Sequence, residues 1–375
     1  MDRPSIPTLT SLRFFAALLV LIFHYNIVKN LSFFAWVSSF SSEAVTFFFV
    51  LSGFILTYVH LEMGKQEKLN LSATAFMAHR IARIAPVYFI GLALTAPFFI
   101  VGYAIHHQFS NSLFVAGVLL VPTGLQAWLP STATLWNPPA WALSVLLFLY
   151  ITFAPLVRIV GRIEQTRLLI AAVALMCAVA FARMYLGDNR PATDSNWWQK
   201  FFAYFPLWHL PPFILGVALG RLFISGKRFS QSTHEAILLA SIFLFGTILY
   251  YHLVVPMLCN VILALVYGVG IFGAAGAAGP LSKILSARSL VLLGNASYAT
   301  YIIHVPIWVC WDRITRVDLR IELPPLIDFF CCLLVVIGTS ILVYTYIERP
   351  MRRWLLLRAN KILIAPRIGA AYQNS

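Results

Sequence analysis

Runs of about fifteen to twenty residues that are apolar at nearly every consecutive position recur along the chain, FFAALLVLIFHYNIV near the amino terminus among them. A helix of about twenty residues crosses the roughly 30 Å hydrocarbon core of a bilayer. The alternating ten-residue pattern of a transmembrane β-barrel is absent. Composition agrees, since 60% of the 375 residues are apolar and only 11% charged, against about 25% charged in soluble domains. The predicted class is an all-α polytopic membrane bundle with about ten crossings, at roughly 12–28, 44–61, 85–103, 140–157, 168–186, 204–223, 236–253, 256–275, 290–311 and 325–346. These fill a membrane domain over 1–354 and leave a short tail at 355–375. A cleavable signal peptide is not expected, because Arg13 interrupts the first apolar run and no small-x-small site follows.

Segment 113–129 is apolar but holds Gly117, Pro122, Gly124 and Gln126, so it reads as an eleventh span or as a re-entrant or interfacial piece. Charge decides. If it does not cross and the amino terminus is cytoplasmic, nineteen Lys and Arg fall on the inner side and six on the outer, as the positive-inside rule requires. A crossing there would invert every later loop. Both termini are therefore expected in the cytoplasm. This placement also accounts for the net charge of +14 without nucleic acid, for which a Lys/Arg surface interleaved with stacking aromatics is missing. The five cysteines have no CxxC or metal-ligand spacing and read as small core residues. His234-Glu235 lacks the second histidine of an HExxH zinc site, and His106-His107 reads as a loop pair in water. No metal site is expected.

Lipid rejects ionisable groups, yet the first span, LRFFAALLVLIFHY, carries Arg13 and His24. Eleven residues apart, they leave one face of a helix about 16 Å apart along its axis. Arg13 then sits near the cytoplasmic interface and His24 deep, toward the outer half. Arg80 and Arg83, in HRIARIAPVYF before the third span, share a face three residues apart. They read as ordinary positive-inside charge or as a phosphate clamp, for which the planar guanidinium is suited.

An arginine, ten residues and a histidine, then FFFVLSGF, then R-x-x-R, together resemble the membrane acyltransferase 3 family. So do NPPAWALSVLLFLY at 137–150, LGNASYATYIIHVPIW at 293–308 and the closing YIERPMRR at 346–353. The resemblance implies an enzyme of the bacterial inner membrane that moves an acyl group, mostly acetyl, from cytoplasmic acyl-coenzyme A to a sugar hydroxyl of a surface or exported glycan, which can be lipid-linked. It implies Arg13, Arg80 and Arg83 as the seat of the coenzyme A phosphates and His24 as general base or acyl relay. Imidazole suits either role near neutral pH. Acyl-coenzyme A is a substrate here, and no permanently bound cofactor is implied. Glu43, His304, Ser144 and Tyr150 are candidates for the acceptor side, with Ser52, Tyr58, Tyr298 and Tyr301 as polar liners. His304 and these hydroxyls also read as ordinary helix–helix hydrogen-bonding groups.

The chain departs from the family in the fourth span. Where W-S-L-S-V-E-x-x-F-Y is common, it reads W-A-L-S-V-L-L-F-L-Y, so Leu146 stands in place of an acid. Of the acids near spans, Glu43, Asp312, Asp328 and Glu348, the first and third lie on the outer side and are the candidate replacements. Two other readings use the same features: a transporter or flippase of a lipid-linked or acylated intermediate, and a catalytically impaired member acting as an assembly partner. Inverted repeats would favour the transporter, and none is seen.

Overall fold

The computed structural model describes residues 3–25, 37, 44–62, 68–69, 71–188, 195–225, 229–251 and 259–359. Within them the apolar runs are helices: α1 (Pro7–His24), α2 (Ala44–His60), α3 (Ala73–Ala104), α4 (Asn111–Leu120), α5 (Trp141–Val160), α6 (Gln165–Asp188), α7 (Ser195–Tyr204), α8 (Leu210–Ile224), α9 (Gln231–Tyr251), α10 (Cys259–Gly276), α11 (Pro280–Leu285), α12 (Arg288–Asp312) and α13 (Pro325–Val343). Two short strands, β1 (Leu61–Glu62) and β2 (Lys68–Leu69), pair antiparallel beyond α2. Among the described residues eight helices are long and apolar enough to cross a membrane, and α2 and α10 lie at the lower limit of length. These ten correspond to the ten expected spans.

Several ends differ from the hydropathy reading because capping, not apolarity, sets them. α3 begins twelve residues before its apolar run, where the Ser72 hydroxyl accepts a hydrogen bond from the Ala75 amide, and this puts Arg80 and Arg83 on the helix itself. α13 passes through a π turn at Tyr344–Glu348 and stays helical to Ala359.

Packing directions settle the fate of segment 113–129. α2 and α8 cross in parallel: Gly53 lies against the backbone of Phe213, Gly216 and Val217, Gly216 against that of Val50 and Phe54, and Gly220, one helical turn on, against Phe54 and Thr57, with no room for a Cβ at any of the three. This is the small-residue contact that lets membrane helices approach backbone to backbone. α1 and α12 are parallel too, with Gly294 against Thr10 and His304 beside His24. α3 follows α12 in the same direction, since the Tyr298 hydroxyl donates to the Ile84 carbonyl and Gly91 meets Ile302. Parallel partners must be separated by an odd number of crossings. That holds for second with sixth and first with ninth, and fails if α4 is counted. At ten residues, about 15 Å, α4 is also too short to cross. The stretch after it is tied to the bundle wall, the Ala127 amide donating to Ser144 Oγ at 3.3 Å and Trp136 Nε1 to the Leu92 carbonyl at 2.8 Å.

The outer surface is apolar, with Phe243, Leu334 and Tyr346 at least 70% exposed, as lipid-facing residues are. Cys177 and Cys310 lie on that surface, contrary to the expectation of core cysteines, whereas Cys332 is buried. A thiol is apolar enough for lipid as well as for a core. Cys259 lies where only the backbone is described. The His234-Glu235 pair is structural: the Glu235 carboxylate accepts from the amides of Gly279, Leu281 and Ser282 and so caps α11.

Candidate active site

α1, α3 and α12 all begin at one end of the bundle, called here the proximal end, and α2 returns to it. Five arginines gather there. Arg3, Arg13, Arg80, Arg83 and Arg352 line a vestibule of about 300 Å³ together with Tyr58 and His60. Arg13, Leu51, Ile55, Leu56, Arg80 and Arg83 also line a second cavity of about 110 Å³ that continues inward. Its further wall is formed by Phe48, Ser52, Leu143, Leu146, Tyr150, Ser297, Tyr298 and Tyr301. A polar mouth thus narrows into a mainly apolar passage.

Three of these arginines are held by defined contacts. Arg13 Nη2 donates to the Gly294 carbonyl at 2.8 Å, which is within reach because glycine there lets α12 touch α1. Arg80 is 9% exposed; its Nη2 donates to His60 Nε2 at 3.3 Å, and its guanidinium lies 5.6 Å from the centre of the Phe76 ring. Its Nε has no hydrogen-bond partner among the described residues, which leaves donor capacity for an anion. Arg3 donates to the Tyr58 carbonyl and stacks over that tyrosine's ring.

Glu348, 5% exposed on the π turn, interacts electrostatically with Arg83, Arg13 and Arg352. The sequence marks it as an acid at the end of a span but gives no reason to prefer it, because Arg349, Arg352 and Arg353 beside it already explain its charge. Its position against arginines of α1 and α3 is a tertiary fact.

Eleven residues beyond Arg13, His24 stands against α12 again. Its ring centre is 5.0 Å from that of His304. Each imidazole is oriented by its own helix: His24 Nδ1 donates to the Val20 carbonyl at 2.9 Å and His304 Nδ1 to that of Tyr301 at 2.9 Å. Nε2 is then the basic nitrogen of both rings. The pair lines a small space of about 10 Å³ with Tyr25, Trp308 and Cys332. Tyr301, its ring centre 6.3 Å from that of His304, stands between this space and the inner cavity.

The structure therefore groups Arg13, Arg80, Arg83, Tyr150 and Leu146 in one cavity and His24 with His304 in a separate small space on the other side of Tyr301. Ser144 is elsewhere, 1% exposed and bonded to the Ala127 amide. Glu43 lies outside the described residues. Asp328 is taken up by other partners: Tyr25 Oη donates to it at 3.2 Å, Trp311 Nε1 at 2.7 Å, and Arg316 Nη2 lies 3.5 Å away. It secures α13 to the distal end of α1 and α12. Among the described residues no group of three or more His, Cys, Asp or Glu could hold a metal ion.

A family model described as an acyltransferase domain matches residues 6–345. Among characterised proteins, Acyltransferase MdmB of Streptomyces mycarofaciens is 28% identical over 324 residues, covering 80% of this chain and 78% of that protein. No solved structure matches the chain. Since the match runs from the start of α1 into the last span and takes in Arg13, Arg80, Arg83 and the histidine pair, the chain belongs to the acyltransferase 3 family and is a membrane-embedded acyltransferase.

Proposed function

We propose that this acyltransferase takes an acyl group, acetyl first among them, from acyl-coenzyme A in the cytoplasm and passes it to a hydroxyl of a surface or exported glycan. One observation carries the reading: a vestibule of five arginines opens into a narrow apolar passage lined at its inner end by Tyr301, whose ring neighbours His304 of the histidine pair. Coenzyme A has the complementary form, with phosphates at one end, a slender pantetheine arm and a thioester at the tip. The guanidiniums bind the phosphates in bidentate, charge-assisted fashion. The arm fills the passage, and the roughly 16 Å between Arg13 and His24 on α1 is comparable with its reach. The proximal end is cytoplasmic in this reading, supported by the excess of Lys and Arg in the loops on that side. Both termini lie there, in the inner membrane of a bacterium.

At the far end His24 acts as general base. Its Nε2 takes the proton as the acceptor oxygen bonds to the thioester carbon; the carbon–sulfur bond then breaks, and the departing thiolate takes that proton back. His304 beside it fixes where the imidazole lies. The test supplies radiolabelled acetyl-coenzyme A to membranes holding the protein and candidate glycans. Label transfer by wild type that both His24→Ala and Arg13→Ala abolish is expected. Transfer that ignores His24 overturns the assignment.

A further inference from the structure

Buried polar atoms in folded proteins are hydrogen-bonded with few exceptions. Among the described residues, α12 carries three exceptions in one line: Tyr301 Oη, His304 Nε2 and Trp308 Nε1. Positions 301, 304 and 308 share a helix face, and Gly294, seven residues before Tyr301, lies on that face where α12 touches α1. His304 and Trp308 face His24 and Tyr25 of α1, and the Tyr301 ring lies where α12 also meets Phe48 of α2. The line begins in the cavity, which Tyr301 lines, and ends in the small space shared by His24, His304 and Trp308.

Tyr301 is 6% exposed and its hydroxyl has no hydrogen-bond partner among the described residues. Leaving a buried O–H unbonded destabilises a fold, so its presence at the inner end of the passage calls for a reason. Acyl transfer supplies one. When the acceptor oxygen attacks, the carbonyl π pair moves onto oxygen, and a donor already aimed at that position in a dry site stabilises the oxyanion. Hydroxyl donors that bond to nothing in the resting protein pay no exchange of partners when the charge appears.

We propose that the Tyr301 hydroxyl is the oxyanion donor of the transfer and thus a catalytic residue. The proposal rests on the acyl-transfer reading above. The new carbon–oxygen bond forms as the proton goes to His24; the oxyanion accepts a hydrogen bond from Tyr301 Oη; the π bond then re-forms, the carbon–sulfur bond breaks, and the thiolate leaves with the imidazolium proton. Tyr301 gives up no proton in this cycle. An acceptor hydroxyl entering from the distal side passes Trp308 and His304 before it reaches the carbonyl held at Tyr301.

Tyr301→Phe removes one oxygen atom. In the purified protein, kcat for acetyl transfer is expected to fall about 10²- to 10³-fold, the donor KM to stay within about threefold of wild type, and the melting temperature to be unchanged or higher, since an unpartnered hydroxyl has been removed. A kcat within about threefold of wild type overturns the proposal. If the phenylalanine variant melts lower, 3-fluorotyrosine at 301 decides: its more acidic hydroxyl is expected to raise kcat several-fold, and an unchanged kcat overturns the proposal. A wild-type protein that transfers no label is the separate failure of the acyl-transfer reading.

Discussion

Two parallel helix pairs, α2 with α8 and α1 with α12, meet backbone to backbone at glycine, and only the first stays closed along its contact. In α8 the glycines recur one turn apart, at 216 and 220, and Gly53 answers from α2, so the two backbones run together past Phe54 and Thr57. The seam is filled by fully buried apolar groups such as Phe54, Phe213 and Val217. In α12 a single glycine, Gly294, makes the contact at the proximal end. Beyond it, Ser297, Tyr301 and His304 replace the small residue, and cavity follows contact. The lesson is that the spacing of small residues, more than their presence, decides whether a helix pair is a girder or a site.

Substitution at the two glycines tests that comparison with the largest effects. A Cβ at Gly216 must displace backbone along the whole seam, so Gly216→Leu is expected to cost about 4 kcal/mol or more, read as loss of folded protein after detergent extraction. Gly294→Ala is expected to be milder in thermal melts, because α1 can tilt about a single contact. Its activity per folded molecule falls instead, since the Arg13 bond to the Gly294 carbonyl is lost. Equal loss of stability at both sites, with activity per folded molecule unchanged in Gly294→Ala, would break the comparison.

Much of this could be read from residues, and the remainder divides by cause. Long apolar runs become helices because unpaired backbone cannot remain in lipid, and Arg13 and His24 share a face because helical periodicity is local geometry. Both were legible. Glu348 was visible only as an acid among arginines, and Asp328 as an outer acid near the site; the fold places the first against Arg13 and Arg83 and engages the second with Tyr25 and Trp311. Tyr301 was one polar liner among several. That its hydroxyl lacks a partner depends on the surrounding helices, and no spacing rule encodes it.

The α1–α12 seam is sharpened next by its own side chains. His24→Asn is expected to lower transfer about 10³-fold while the melting temperature holds, whereas Tyr25→Phe, which loses the bond to Asp328, is expected to lower the melting temperature with kcat largely kept. Arginines divide in the same way. Arg221 ties α8 to the end of α5 through the carbonyls of Val160 and Ile163, at 2.6 and 3.1 Å, so Arg221→Gln destabilises without touching the donor. Arg80→Gln, which removes a guanidinium lining the vestibule, is expected to raise the donor KM about tenfold, the equivalent of roughly 1.4 kcal/mol. Steady-state kinetics beside thermal melts separate the two. For Glu348→Gln the signs oppose: the arginines lose a counter-charge, so the ligand-free protein melts lower, while phosphates bind a few-fold tighter and acyl-coenzyme A restores the melt.

The smallest effect is expected at Leu146, where the family commonly has an acid. Leu146 lines the passage with Arg13, Arg80 and Arg83, whereas His24 lines the separate space beyond Tyr301. A carboxylate at 146 would therefore face the arginines and the donor's arm, not the imidazole. Burying it costs desolvation unless an arginine pairs with it, and such pairing competes with the phosphates. Leu146→Glu is accordingly expected to raise the donor KM about two- to threefold and to leave kcat within about the same factor. A tenfold rise in kcat would mean that an acid at 146 acts on the histidine pair across Tyr301, and that passage and pair form one site instead of two joined end to end.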